Sequence, residues 1–330
     1  MSAEPVSVTC SNPDCRVAES GKCVEGVALD KCSHYGQTLV VAAAALSDAA
    51  PESTALGAGE RIDMGGAHEV LRERLSRVVA VLGPSDAGKT SLIACLIGLF
   101  QDGTIGQFAF GGSRTLRAFE QVCHDSRAAS NREIPSHEHT PRGQLGFFHL
   151  AIADVEGRTL TNLLLGDRAG EEYLELADNV SAAKGLAEIV RADNITVLVD
   201  GKRLLDISAR HNVRSEVTMM LQALWDGDAL NDNQRLGLVL TKYDEIQRSP
   251  DRDRAMRDFE LICKNARELF GGSFLSIDEF RVAASPTSDA LPRGHGIAEL
   301  LTRWMSAPAQ RQCVRSAPAP SVRAFARLMP

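Results

Sequence analysis

Residues 79–92 read VAVLGPSDAGKTSL, and their types and spacing suit the binding of a polyphosphate. An apolar run, Arg77–Leu82, ends at Gly83, and GPSDAGKT then satisfies G-x-x-x-x-G-K-[ST] at every fixed position. A buried strand, a glycine-rich loop and a helix over Lys89–Phe100 are expected in that order. The loop amides of Asp86, Ala87, Gly88 and Ser91 can converge on an anion, and the helix N-terminus adds partial positive charge. Lys89 can reach the β- and γ-phosphates, and Thr90 can offer its hydroxyl to Mg²⁺. Gly83 and Gly88 fall where the backbone must bend tightly.

Two further patterns complete a nucleotide site. Asp167-Arg168-Ala169-Gly170 gives D-x-x-G after an apolar run. The Asp167 carboxylate can hold Mg²⁺ through water opposite Thr90, and the Gly170 N–H can meet a γ-phosphate oxygen. Thr241-Lys242-Tyr243-Asp244 fits [NT]-K-x-D. A carboxylate at Asp244 accepts from both N1–H and N2–H₂ of guanine, a donor pair that adenine lacks, while the Lys242 stem covers the base. Ala284 and Ser285 follow the next strand, and their amides can donate to guanine O6.

These motifs need elements that place them together. Strand-like runs at about 77–82, 144–153, 159–165, 195–199, 236–240 and 280–283 alternate with helical stretches at about 66–77, 89–100, 115–127, 182–191, 208–224, 252–270 and 296–305. Asp154-Val155-Glu156-Gly157 reads as a hairpin turn between the second and third strands. Residues 100–144 otherwise read as loop. This alternation predicts an α/β fold, a mainly parallel sheet with helices on both faces. Ligands of such sheets bind beyond the C-terminal ends of the strands, and all four motifs sit there.

The N-terminal block, residues 1–36, has a different composition. Cys10, Cys15, Cys23 and Cys32 are spaced C-x4-C-x7-C-x8-C, with His34 close behind. The block has too few large apolar residues for a core of its own. Four thiolates on Zn²⁺ would supply folding energy, so a zinc module is expected there. Residues 37–66 read as a linker, 67–306 as the nucleotide domain, and 307–330 as a disordered tail.

Composition narrows the function classes. Lys and Arg total 36 against 43 Asp and Glu, a net charge of −7, which argues against a broad nucleic-acid surface. No basic segment followed by an apolar core opens the chain, and Leu39–Leu46 is too short to span a bilayer. A cytoplasmic protein without a membrane span is expected.

The order GPSDAGKT, polar loop, two strands, DRAG, TKYD, AAS resembles the Ras-like (translation-factor-related) P-loop GTPases over about residues 77–306. The resemblance implies a GTP- and Mg²⁺-dependent switch that hydrolyses GTP to GDP, with Thr140 as the switch-I threonine on Mg²⁺, in a loop that also holds His137 and His139. Glu171 takes the water-orienting position where many relatives have Gln or His, which implies slow basal turnover. Arg168, Arg127 and Arg114 are candidates to stabilise transition-state charge. The Cys-rich start, GGSRTLRAFEQVCHDSRAAS and DRAGEEY resemble, more narrowly, the double-GTPase class of bacterial conflict systems, which implies a second GTPase as protein partner. Two alternatives stay open: a GTP-binding scaffold that hydrolyses little, and an ATP-using P-loop protein in which TKYD is only a turn.

Overall fold

The computed structural model describes residues 59–130, 145–157, 159–176, 179–286 and 290–307, with residues 10, 15, 17, 21–23 and 26–36 near the N-terminus. The chain divides into two compact units, Met1–Leu56 and Gly57–Pro330. In the first, Leu29–Lys31 forms a 3-10 turn and Cys10 bridges Tyr35.

The second unit opens with α1 (Met64–Glu73), capped by Asp63, whose Oδ1 accepts from the Gly66 N–H at 2.8 Å. Then follow β1 (Ser76–Leu82), α2 (Lys89–Asp102), β2 (Phe108–Gly112), α3 (Leu116–Ser130), β3 (Gly146–Asp154) and β4 (Leu160–Asp167). After β4 come α4 (Gly170–Glu175), α5 (Ala187–Val190), β5 (Asn194–Asp200), α6 (Gly201–Leu205) and α7 (Arg210–Asp226). The domain ends with β6 (Arg235–Thr241), α8 (Tyr243–Arg248), α9 (Arg252–Phe270), β7 (Ser276–Arg281) and α10 (Ile297–Met305).

The strands make one sheet, ordered β2-β3-β4-β1-β5-β6-β7. From β4 to β7 the pairing is parallel, and β2 and β3 join antiparallel. β1, β5 and β6 are buried along their whole length, as expected of central strands covered on both faces. Alternation divides their side chains. Ala80, Leu82, Val197, Val199, Leu238 and Leu240 join one core with α7 and α9, while Val79, Val81, Leu198 and Val239 join another with α2, α3 and α10. A smaller cluster, Ala67, Val70, Val78, Phe147 and Leu164, lies under α1.

The parallel α/β reading holds, with local corrections. Phe108–Gly112, within a stretch read as loop, is an edge strand that pairs with β3, Phe108 opposite Asp154. Its five residues end in two glycines, too short for alternation to register. The helix expected over 182–191 is a 3-10 segment, Val180–Gly185, followed by the single turn α5. β7 begins earlier than expected, because SIDEFR is half-buried throughout and lacks a core strand's apolar run. The short helices α4, α6 and α8 carry no periodic signal of their own. Among the described residues no helix is long and apolar enough to cross a membrane.

Candidate functional site

The loop after β1 carries the phosphate-binding geometry. Gly88 caps α2 at φ 95° and ψ 20°, a left-handed conformation that favours glycine, and its carbonyl accepts from the Leu92 N–H at 2.9 Å. The turn directs the first amides of α2, those of Lys89, Thr90 and Ser91, along the helix axis where no intrahelical acceptor exists. Asp86 also takes positive φ, 62°, a conformation sparsely populated outside glycine. Lys89 Nζ donates to the Gly83 and Pro84 carbonyls at 2.8 and 3.0 Å and so braces the loop. Burial pulls the Lys89 pKa below the ordinary lysine value, opposed by the charges of Asp167, Glu171 and Asp86.

The turn after β4 packs against this loop. A Cβ on Gly170 would come within 2.5 Å of the Gly83 carbonyl oxygen and 2.6 Å of Lys89 Nζ, so only glycine permits the approach. Glu171 accepts from the Ser85 hydroxyl at 3.0 Å. Asp167 is buried at the end of β4. Carboxylate and hydroxyl oxygens are the donors that Mg²⁺ prefers, so Asp167 and Thr90 carry the chemistry that could hold it, and the ion would neutralise phosphate charge.

Arg168 faces elsewhere. Its Nε donates to Glu188 at 2.6 Å and its Nη1 to Glu172 at 2.7 Å. Glu188 is fully buried and also accepts from the Tyr173 hydroxyl at 3.3 Å. Burial disfavours the Arg168 charge, but hydrogen bonds and attraction from Glu188 outweigh it and raise its pKa. Arg114 is likewise engaged, its guanidinium with Glu73 and its backbone N–H with His149 Nδ1.

The base end is assembled from three strand ends. A cleft with about 580 Å³ of open space is lined by Gly88, Ser91, Leu92, Thr241, Lys242, Asp244, Glu245, Val282, Ala284 and Ser285. Thr241 spends its hydroxyl inside the protein, donating to Ala87 O at 2.8 Å and ranged 3.2 Å from Val199 O, so it ties β6 to the phosphate loop. Lys242 turns the chain at φ 53° and ψ 38°, and its ammonium donates to Asp200 Oδ2 at 2.9 Å. Asp200 is buried and caps α6 through its other oxygen, which accepts from the Lys202 N–H at 2.9 Å. Asp244 is buried in the first turn of α8. The loop behind Ala284 is pinned by two backbone bonds, Ala283 N–H to His295 O at 3.1 Å and Gly294 N–H to Ala283 O at 3.0 Å, and by Tyr243, stacked on His295 with ring centroids 5.9 Å apart.

Thr140, His137 and His139 lie outside the described residues, as does the side chain of Arg127. The expected zinc module is not supported. Among the described residues no three Cys, His, Asp or Glu side chains gather as a metal-holding group, although Cys10, Cys15, Cys23 and Cys32 are all described.

Motif reading passed over two residues of the site. Asp200 had a faint signal, an acid at a strand end before Gly201. Arg61, whose Nη1 donates to Asp167 Oδ2 at 2.6 Å, had none, since it lies in a stretch read as linker.

A mainly parallel sheet with a glycine-rich loop after β1, D-x-x-G after β4 and T-K-x-D after β6 defines a P-loop GTPase. The chain belongs to the Double-GTPase 2 family, whose model matches residues 77–305. Among solved structures it is similar to the signal recognition particle receptor SRb in an SRb-GTP/SRX complex from Chaetomium thermophilum. The identity there is 15% over 65% of this chain and 93% of that one, with TM-score 0.38. The S. cerevisiae Ski7 GTPase-like domain bound to GTP gives 12% identity over 74% of this chain and 53% of that one, with TM-score 0.38. Roco2 of Methanosarcina barkeri, bound to GDP, gives 16% over 70% and 49%, with TM-score 0.32. No match was found among curated proteins.

Proposed function

We propose that the chain binds GTP with Mg²⁺ and hydrolyses it slowly to GDP, as a regulatory switch that works beside a second GTPase in a bacterial conflict system. The cleft carries the reading. Asp244, Lys242, Ala284 and Ser285 line it together with Gly88 and Ser91 of the phosphate loop, so one ligand can engage the base end and the phosphate end at once. In this reading the loop amides and Lys89 hold the phosphates, Thr90, Asp167 and Thr140 hold Mg²⁺, and Asp244 selects guanine. Thr241 and Asp200 position the loop and Lys242. Arg168 braces the D-x-x-G turn through Glu188 and is not a source of transition-state charge. The double-GTPase name of the family supports the paired partner.

The Ser85–Glu171 bond favours a second reading beside the first, a GTP-binding scaffold that hydrolyses little. A carboxylate held by the loop repels charge that develops on the phosphoryl group. The test is calorimetric titration of the purified chain with GTP and with ATP in Mg²⁺, followed by a GDP-release assay. Tight GTP and weak ATP binding support the nucleotide assignment, and equal affinities refute it. Measurable GDP formation favours the switch, and its absence favours the scaffold.

A further inference from the structure

Residues 59–63, just ahead of α1, form a strap across the start of β3. Ile62 pairs with Phe147 through two backbone bonds, Ile62 N–H to Phe147 O at 3.0 Å and Phe147 N–H to Ile62 O at 2.8 Å. At one end the Gly59 carbonyl accepts from the Ala118 N–H at 2.9 Å, and Glu60 pairs with Arg117 at 3.1 Å. At the other end Asp63 caps α1. β2 pairs with β3 only from Ala151 onward, so the strap covers a part of β3 that β2 does not reach.

The strap delivers one side chain to the site. Arg61 crosses Gly146, which stands opposite Asp167 in the β3–β4 register. A Cβ at Gly146 would lie 3.1 Å from Arg61 Cβ and 3.2 Å from its Cδ, so the missing side chain opens the lane the arginine occupies. The guanidinium ends 2.6 Å from Asp167 Oδ2, with side-chain exposures of 31% for Arg61 and 8% for Asp167. The same carboxylate acts electrostatically on Lys89 from the loop side. Two cations, Arg61 and Lys89, therefore bear on it.

We propose that Arg61 is a positioning residue that gates the metal: its guanidinium, held on the strap, and Mg²⁺ compete for the Asp167 carboxylate. The proposal rests on the reading of Asp167 as the metal carboxylate. A dication arriving at Asp167 meets a like charge already bonded there, so the ion pair must loosen as the metal enters. Arg61 thus sets how much Mg²⁺ the nucleotide-bound chain needs.

The test titrates Mg²⁺ alone, by calorimetry, into the full chain loaded with a non-hydrolysable GTP analogue. Arg61→Gln keeps much of the stem over Gly146 and removes the charge. It is expected to bind Mg²⁺ about two- to fivefold more tightly than the unmodified chain, the scale of a partly exposed ion pair. Arg61→Lys keeps the charge and should stay near the unmodified value. Gly146→Ala, which crowds the stem without touching its charge, should shift the affinity the same way as Arg61→Gln by a smaller factor. Equal or weaker Mg²⁺ binding by both Arg61→Gln and Gly146→Ala overturns the proposal. Asp167→Asn separates the two levels. If it leaves Mg²⁺ affinity unchanged, the metal assignment fails, and if it weakens binding while the Arg61 variants do nothing, only the gate fails.

Discussion

Asp244→Asn tests base selection with almost no change of volume. Asp244 is 3% exposed, lines the cleft and stands two residues after the left-handed turn at Lys242. In the unmodified chain its carboxylate can accept from guanine N1–H and N2–H₂ together. In the variant one acceptor becomes an amide donor that faces N2–H₂, donor against donor, in a site shielded from water. Hydrogen bonds to charged groups contribute about 1.5–3 kcal/mol each, so GTP affinity should fall about ten- to a hundredfold. Xanthine carries a carbonyl oxygen where guanine has its amino group, so XTP should gain by a similar factor, while ATP stays weak for both proteins. Asp244 also lies in the first turn of α8, where its charge favours the helix by about 0.3–1 kcal/mol. A small drop in melting temperature is therefore expected and must be measured apart from affinity. Calorimetric titration of both proteins with the three nucleotides decides the matter. Loss of GTP, XTP and ATP affinity by one common factor would refute recognition of the guanine edge.

Glu171→Gln replaces the carboxylate that accepts from Ser85 with a neutral group able to orient water, and single-turnover GDP formation should rise about tenfold; no change would mean that Glu171 stands apart from the chemistry. Arg168→Ala leaves Glu188 fully buried without its cation, and urea unfolding should show a loss of about 3–5 kcal/mol. Turnover per folded molecule should persist in that variant, and its collapse with stability intact would restore Arg168 as a catalytic arginine. His149 is buried, accepts from the Arg114 N–H at Nδ1 and faces Asn162 Oδ1 through Nε2 at 3.1 Å, so the neutral ring fits and a proton on Nδ1 would oppose a donor. Burial lowers its pKa below 6.5 despite the Asn162 bond. The unfolded chain then takes up the proton first, so the contribution of His149 is present above about pH 6.5 and is lost as pH falls through the folded value. The melting temperature should drop from pH 7 to 5.5, and His149→Gln should flatten that slope; an unchanged slope would assign it to other groups.

The candidate site is legible where it is local. GPSDAGKT, DRAG and TKYD each gather backbone and side-chain atoms only a few residues apart, so the chemistry proposed for them is written in short spacing. Apolar runs such as VVAVL and LGLVL place those motifs at strand ends by the need to bury both faces of a central strand. Tertiary structure decided what depends on distant partners. Glu188 lies 20 residues from Arg168 and turned a candidate catalytic cation into half of a buried ion pair. Lys242 meets Asp200 across 42 positions, and Thr241 meets Ala87 across 154. No periodicity or spacing encodes such pairings, because they arise only when parallel strands bring their ends to one edge. Arg61 is the extreme case. It meets Asp167 across 106 positions, in a stretch with no apolar pattern, its stem running close over Gly146, where a Cβ would crowd it.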